Sequence, residues 1–187
     1  LRRRTPDRTA SPSDYGLEHE TVHFTTEDGI TLTGWLIPAP NAARAVIFLH
    51  GHAGSMDPDL KYAPWFRERG ISVLMFDFRG HGRSAGRLVS MGYFERRDLL
   101  AAEKFLMERG YERIGVLGFS MGGAVAISGT PVSQRIRAVA ADGSFARLRN
   151  AIRQGAQERG VPHLLAGPLA ALAVRIAGWR TGANLET

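Results

Sequence analysis

The chain has 187 residues, 44% hydrophobic and 22% charged, with a formal net charge of +6 and no cysteine. That length and apolar content suit one globular domain with a sizeable core and exclude disordered, collagenous and membrane-bundle classes. Without cysteine there is no disulfide, no thiolate metal site and no cysteine nucleophile.

The positive charge comes from arginine, since Lys61 and Lys104 are the only lysines. The arginines are dispersed, with no basic stripe or interleaved aromatics, so no nucleic-acid partner is expected. Leu1 is followed by Arg2, Arg3 and Arg4 and a polar, proline-containing stretch to Ser13. Residues 1–14 read as a basic, disordered tail. The alternative is the cytoplasmic exit of a membrane helix upstream of residue 1, by the positive-inside rule. The expected location is cytoplasmic, with anchoring through such a segment as that alternative.

Val22, Phe24 and Thr26 alternate with polar residues, Glu27-Asp28-Gly29 supplies turn chemistry, and large apolar residues resume over 31–37. This pattern predicts an antiparallel hairpin, ended by Pro38 and Pro40. Continuous apolar runs follow at 45–49, 71–78, 114–117 and 136–141. Such runs mark parallel strands covered on both faces. Between them lie helical stretches at 62–69 and 95–109, each stopped by a glycine, and a third begins at Met121. Leu99, Ala102 and Leu106 share one face of the second. Strand and helix alternating at this spacing predict βαβ units and a doubly wound, mostly parallel sheet over 15–145. Residues 146–187 change character, with four arginines followed by an apolar stretch over 161–179. Pro162, Gly167, Pro168 and Arg175 interrupt that stretch, which favours cap-like helices over a pocket rather than a membrane span.

Three motifs sit where strands end. Gly118-Phe119-Ser120-Met121-Gly122 matches G-x-S-x-G, which composition alone would produce about 0.14 times in a chain of this length. Its context, a buried run before it and a small-residue helix start after it, makes Ser120 the candidate nucleophile. His50-Gly51-His52-Ala53-Gly54 follows the run at 45–49. An acyl-transfer site needs two N–H donors aimed at the developing oxyanion, and the backbone N–H groups of Met121 and His52 are the candidates. The side chains of His50 and His52 then need no role beyond that of loop histidines. Asp77-Phe78-Arg79-Gly80-His81-Gly82-Arg83-Ser84 forms a glycine-rich loop in which His81 reads as a turn residue.

The order of these three motifs resembles the α/β-hydrolase superfamily. It is most similar to bacterial serine hydrolases of the serine-aminopeptidase-like (S33-type) or lysophospholipase-like group. The stretch Glu27-Asp28-Gly29-Ile30-Thr31-Leu32-Thr33-Gly34-Trp35 also resembles the first two strands of that group. The resemblance covers residues from about Tyr15 to Phe145 and continues weakly beyond. It implies hydrolysis of carboxylic esters, thioesters or amides through an acyl-enzyme on Ser120, with a small-molecule acyl substrate and no cofactor or metal. The same family places an acid and then a histidine after the nucleophile.

Beyond Ser120, His163 is the only histidine, and the acids are Asp142, Glu158 and Glu186. No strand-like run follows Ala141, so the final strands of the fold are missing from the pattern. A triad of Ser120, Asp142 and His163 is one arrangement. Against it, His163 reads as the start of a cap helix and Asp142 as a turn residue before Gly143. A chain truncated before its catalytic histidine is the leading expectation, with a noncatalytic acyl-binding or interaction protein as the competing class.

Overall fold

The computed structural model describes residues 3–133, 135–145, 147–183 and 185. Six strands form one sheet: β1 (Glu20–Thr25), β2 (Thr31–Ile37), β3 (Arg44–Leu49), β4 (Ser72–Phe76), β5 (Arg113–Phe119) and β6 (Ile136–Asp142). Their spatial order is β1-β2-β4-β3-β5-β6. The β1–β2 and β2–β4 pairs are antiparallel, and β3–β4, β3–β5 and β5–β6 are parallel. The expected α/β-hydrolase sheet with its N-terminal hairpin is present.

Alternation along each strand sends side chains to two separate cores. Ala45, Ile47 and Leu49 of β3, with Leu74 and Phe76 of β4, face helices α2 (Glu95–Glu108) and α3 (Met121–Gly129). Val46 and Phe48, with Val73 and Met75, face a 3-10 turn over Asp57–Tyr62 and the short helix α1 (Ala63–Glu68). The stretch at 62–69 thus splits into two helical types. Pro64 is tolerated because it occupies the first turn of α1, where its missing N–H has no partner to lose. The face of α2 carrying Leu99, Ala102 and Leu106 is fully buried.

Only one residue of β6, Ile136, is buried, although its neighbour β5 is paired along its whole length. After β6 the described chain is helical, in α4 (Leu148–Glu158) and α5 (His163–Thr181). Leu148 of α4 and Val174 of α5 form a third small core with Ala183 and Leu185, against which Met91, Tyr93 and Phe145 pack.

The expectation of a disordered tail needs correction. Residues 3–8 lie across the loops that follow β3 and β4: the Arg4 N–H donates to the Gly80 carbonyl at 2.8 Å, and Arg3 donates to the Gly82 carbonyl at 3.2 Å. Asp7 accepts from the Ser55 N–H at 2.7 Å, and a 3-10 turn over Pro12–Tyr15 follows. Composition marked this stretch as polar, but buried loops with spare carbonyls and N–H groups give polar residues something to bind.

Candidate active site

Ser120 stands at the junction of β5 and α3 with φ 51° and ψ −113°, a conformation sparsely populated by residues with a side chain. The turn is possible because its neighbours are glycines. A Cβ on Gly122 would collide with the Leu49 carbonyl oxygen, and one on Gly118 would collide with the Gly122 carbonyl. A Cβ on Gly123 would come within 2.7 Å of the Ser144 side chain. Three strands and a helix therefore converge on the serine at backbone distance. The Ser120 N–H donates to the Asp142 carbonyl at 2.8 Å, so the end of β6 braces the turn from the side. Ser120 itself is exposed.

The loop after β3 lies beside it. A Cβ on Gly51 would sit 3.5 Å from the Ser120 Cβ, and Gly51, His52 and Ser120 line one cleft of about 650 Å³. Met91, Leu148 and Ile152 form its apolar wall. This loop is held from three directions. His81 Nε2 lies 3.1 Å from the His52 carbonyl, Asp7 takes the Ser55 N–H, and the buried Asp77 takes the Met56 N–H at 2.8 Å.

Asp77 also accepts the Arg83 N–H at 2.7 Å, tying the glycine-rich loop to the same carboxylate. Its neighbour Arg79 is clamped twice, by Asp98 on α2 and by Asp28 in the hairpin turn. Arg79 Nε and its backbone N–H donate to Asp98 at 2.8 and 2.9 Å, and its two terminal nitrogens reach Asp28 at 2.7 and 3.0 Å. Burial works against the Arg79 charge, but Asp28 and Asp98 outweigh it and hold the guanidinium above its ordinary range. The buried Glu95 performs a similar task for the next segment, accepting from the N–H groups of Ser90 and Gly92.

His50 is fully buried rather than an ordinary loop histidine. Its Nδ1 lies 2.7 Å from the Gly51 carbonyl and its Nε2 accepts the Phe78 N–H at 3.0 Å, so the neutral ring carries its proton on Nδ1. Burial, then the adjacent His81, push its pKa down to about 3. The unfolded imidazole titrates near 6.5, so below that pH the unfolded chain takes up a proton that the folded chain refuses. Stability attributable to His50 should therefore fall by about 1.4 kcal/mol per pH unit between about pH 6 and about pH 4. Urea unfolding across that range should show a shallower fall in His50→Asn than in the wild type, and equal slopes would refute this role.

His52 is half-exposed, and burial, then His81 and Arg4, lower its pKa to about 4. Its Nδ1 is buried without a hydrogen-bond partner among the described residues. His81 spans the carbonyls of Arg79 and His52 from a fully buried position. His163 opens α5, is exposed, and has its Nδ1 2.9 Å from Gln157 Nε2. Asp142 ends β6 with its side chain exposed and meets Ser120 through its backbone carbonyl. Among the described residues no histidine ring hydrogen-bonds the Ser120 hydroxyl, and Ser120, Asp142 and His163 do not form a linked triad. The structure brings together Ser120, Met121 and the His52 loop.

A mostly parallel sheet behind an antiparallel hairpin, with a sharp strand-to-helix turn that presents a serine, defines an α/β-hydrolase fold. The model of the serine aminopeptidase S33 family matches residues 40–178, and the chain belongs to that family. It is 37% identical over 137 residues to the uncharacterized protein YfhR of Escherichia coli O157:H7, covering 68% of this chain and 48% of the relative. Protein bem46 of Schizosaccharomyces pombe is 29% identical over 154 residues, covering 78% of this chain and 51% of the relative. Among solved structures, the Pyrococcus furiosus esterase Pf2001 matches with a TM-score of 0.76 at 33% identity, over 88% of this chain and 65% of that one. The chain spans about half the length of these curated relatives.

Proposed function

We propose that this chain carries the nucleophile half of a serine hydrolase acting on carboxylic esters, thioesters or amides. The observation that carries the reading is Ser120: an exposed hydroxyl on a positive-φ turn, beside the His52 loop, at the mouth of an apolar cleft. In this mechanism Ser120 Oγ attacks the acyl carbonyl carbon as its proton passes to a histidine base. The oxyanion is received by the N–H groups of Met121 and His52. Collapse of the tetrahedral intermediate leaves the acyl group on Ser120 and releases the leaving group with the proton; water then returns the serine. The apolar wall of Met91, Leu148 and Ile152 suits the acyl portion.

All six histidines lie within the described residues, and none hydrogen-bonds Ser120. In the proposed mechanism the base is therefore supplied from outside these 187 residues, and the chain spans about half the length of the relatives it matches. A fluorophosphonate probe applied to the full gene product tests the reading directly. Labelling should map to Ser120, disappear in Ser120→Ala, and be much slower in the 187-residue chain, where no base activates the hydroxyl. Absence of labelling in the full gene product would leave the competing reading, an acyl-binding protein without turnover.

A further inference from the structure

The arm that precedes β1 is bound to two loops at once. The Arg4 N–H and the Arg3 side chain fasten it to the carbonyls of Gly80 and Gly82 in the glycine-rich loop. Further along it grips the loop that follows β3. The Asp7 N–H donates to Ser55 Oγ at 2.9 Å, and the Ser55 N–H donates back to Asp7 Oδ2 at 2.7 Å, a reciprocal pair. Ser55 is buried, and its hydroxyl donates onward to Asp57, which Arg83 of the glycine-rich loop holds through both carboxylate oxygens. The Arg8 N–H also donates to Asp57.

The His52 loop depends on support of this kind. Gly51 and Gly54 flank His52 and Ala53, so the stretch carries glycine's conformational freedom at both ends. Its own turn bond, from the Gly54 N–H to the Gly51 carbonyl, is long at 3.4 Å. His81 fixes the His52 carbonyl, and Asp77 fixes the Met56 N–H. Between those two anchors it is Asp7 that takes the Ser55 N–H. The arm also reaches the ring of His52, with Arg4 Nη2 3.5 Å from Nε2. An oxyanion donor lowers a barrier only when its N–H is aimed before the charge develops, and a displacement of about 1 Å can cost about 100-fold in rate.

With Ser120 read as the nucleophile and the His52 N–H as an oxyanion donor, as proposed above, we infer that Asp7 is a positioning residue for that donor. The N-terminal arm holds the His52 loop in the shape that turnover requires, acting through Ser55 and the loop backbone. Asp7 is exposed and belongs to none of the three cores, so its truncation leaves the packing of the sheet intact.

The test follows hydrolysis of a short-chain p-nitrophenyl ester by the full gene product and its variants, with circular dichroism as the check on folding. Asp7→Ala should lower kcat about 10- to 100-fold, the scale of a misplaced oxyanion donor, with KM changed less than about twofold. Inhibition by a trifluoromethyl ketone, which places an oxyanion in the same site, should weaken in proportion. Asp7→Asn keeps a carbonyl oxygen for the Ser55 N–H and should recover most of kcat. Ser55→Ala, which removes the other half of the reciprocal pair, should lower kcat as well and gives a second route to the same contact. Wild-type kcat in Asp7→Ala, alongside turnover abolished by Ser120→Ala, would overturn the role of the arm and leave the serine reading intact; turnover surviving in Ser120→Ala would overturn both. A rise in KM at constant kcat, a loss of thermal stability without loss of kcat, or an Asp7→Asn as slow as Asp7→Ala would each overturn the role given to this contact.

Discussion

Ser120→Ala should lower kcat/KM for a short-chain p-nitrophenyl ester by about 10⁴-fold or more in the full gene product. Loss of a serine nucleophile leaves only the residual rate that binding and oxyanion stabilisation provide. Ser120→Gly should lose the same activity but gain stability, by about 1–3 kcal/mol. Glycine adopts φ 51°, ψ −113° without the steric cost a Cβ imposes, so the strain held at the turn is released. Measuring hydrolysis and urea unfolding on the same variants separates the two effects. Retained activity in Ser120→Ala would move the nucleophile elsewhere, and an unchanged stability in Ser120→Gly would remove the argument for strain.

Asp98→Ala should destabilise the fold by about 3–5 kcal/mol, the range for removing one partner of a buried ion pair. Asp98 is fully buried on α2 and receives the Arg79 backbone N–H and side chain together. Its removal leaves Arg79, only 5% exposed, with Asp28 as its remaining carboxylate. A buried N–H is orphaned as well. Asp98→Asn keeps an acceptor for the N–H and should lose less. Thermal and urea unfolding will give the order wild type, Asn, Ala; equal stability of Asp98→Ala and wild type would show that the glycine-rich loop does not depend on this clamp.

The strands were legible because a parallel sheet covered on both faces must be written as unbroken apolar runs. The turn at Ser120 was legible because its glycines are compulsory at backbone contact distance, whatever the rest of the chain does. Asp98 and Glu95 were harder. They fall on the same buried side of α2 as Leu99 and Ala102, and a carboxylate on an apolar stripe is a signal that a cation or a row of N–H groups awaits it. Helical periodicity says nothing of which cation, because Arg79 comes from a loop 19 residues away. The N-terminal stretch was misread for a related reason: its anchors, such as Asp7 on Ser55, are single polar contacts 48 residues apart in sequence. The side-chain acid and base could not be placed within these 187 residues from sequence, and the structure brings neither Asp142 nor His163 into a side-chain link with Ser120.

The brace between Asp142 and Ser120 ties the positive-φ residue of the site to β6, the least buried strand among the described residues and the last in their sheet order. Edge strands open more readily than central ones, because fewer contacts are lost when they do. Each excursion of β6 away from β5 would release the Ser120 amide and let the turn relax toward an unstrained conformation. On the proposed reading of Ser120 as nucleophile, its competence would be coupled to fraying of β6 from β5. A strand or helix seated on the outer side of β6 would then favour the positive-φ conformation of Ser120.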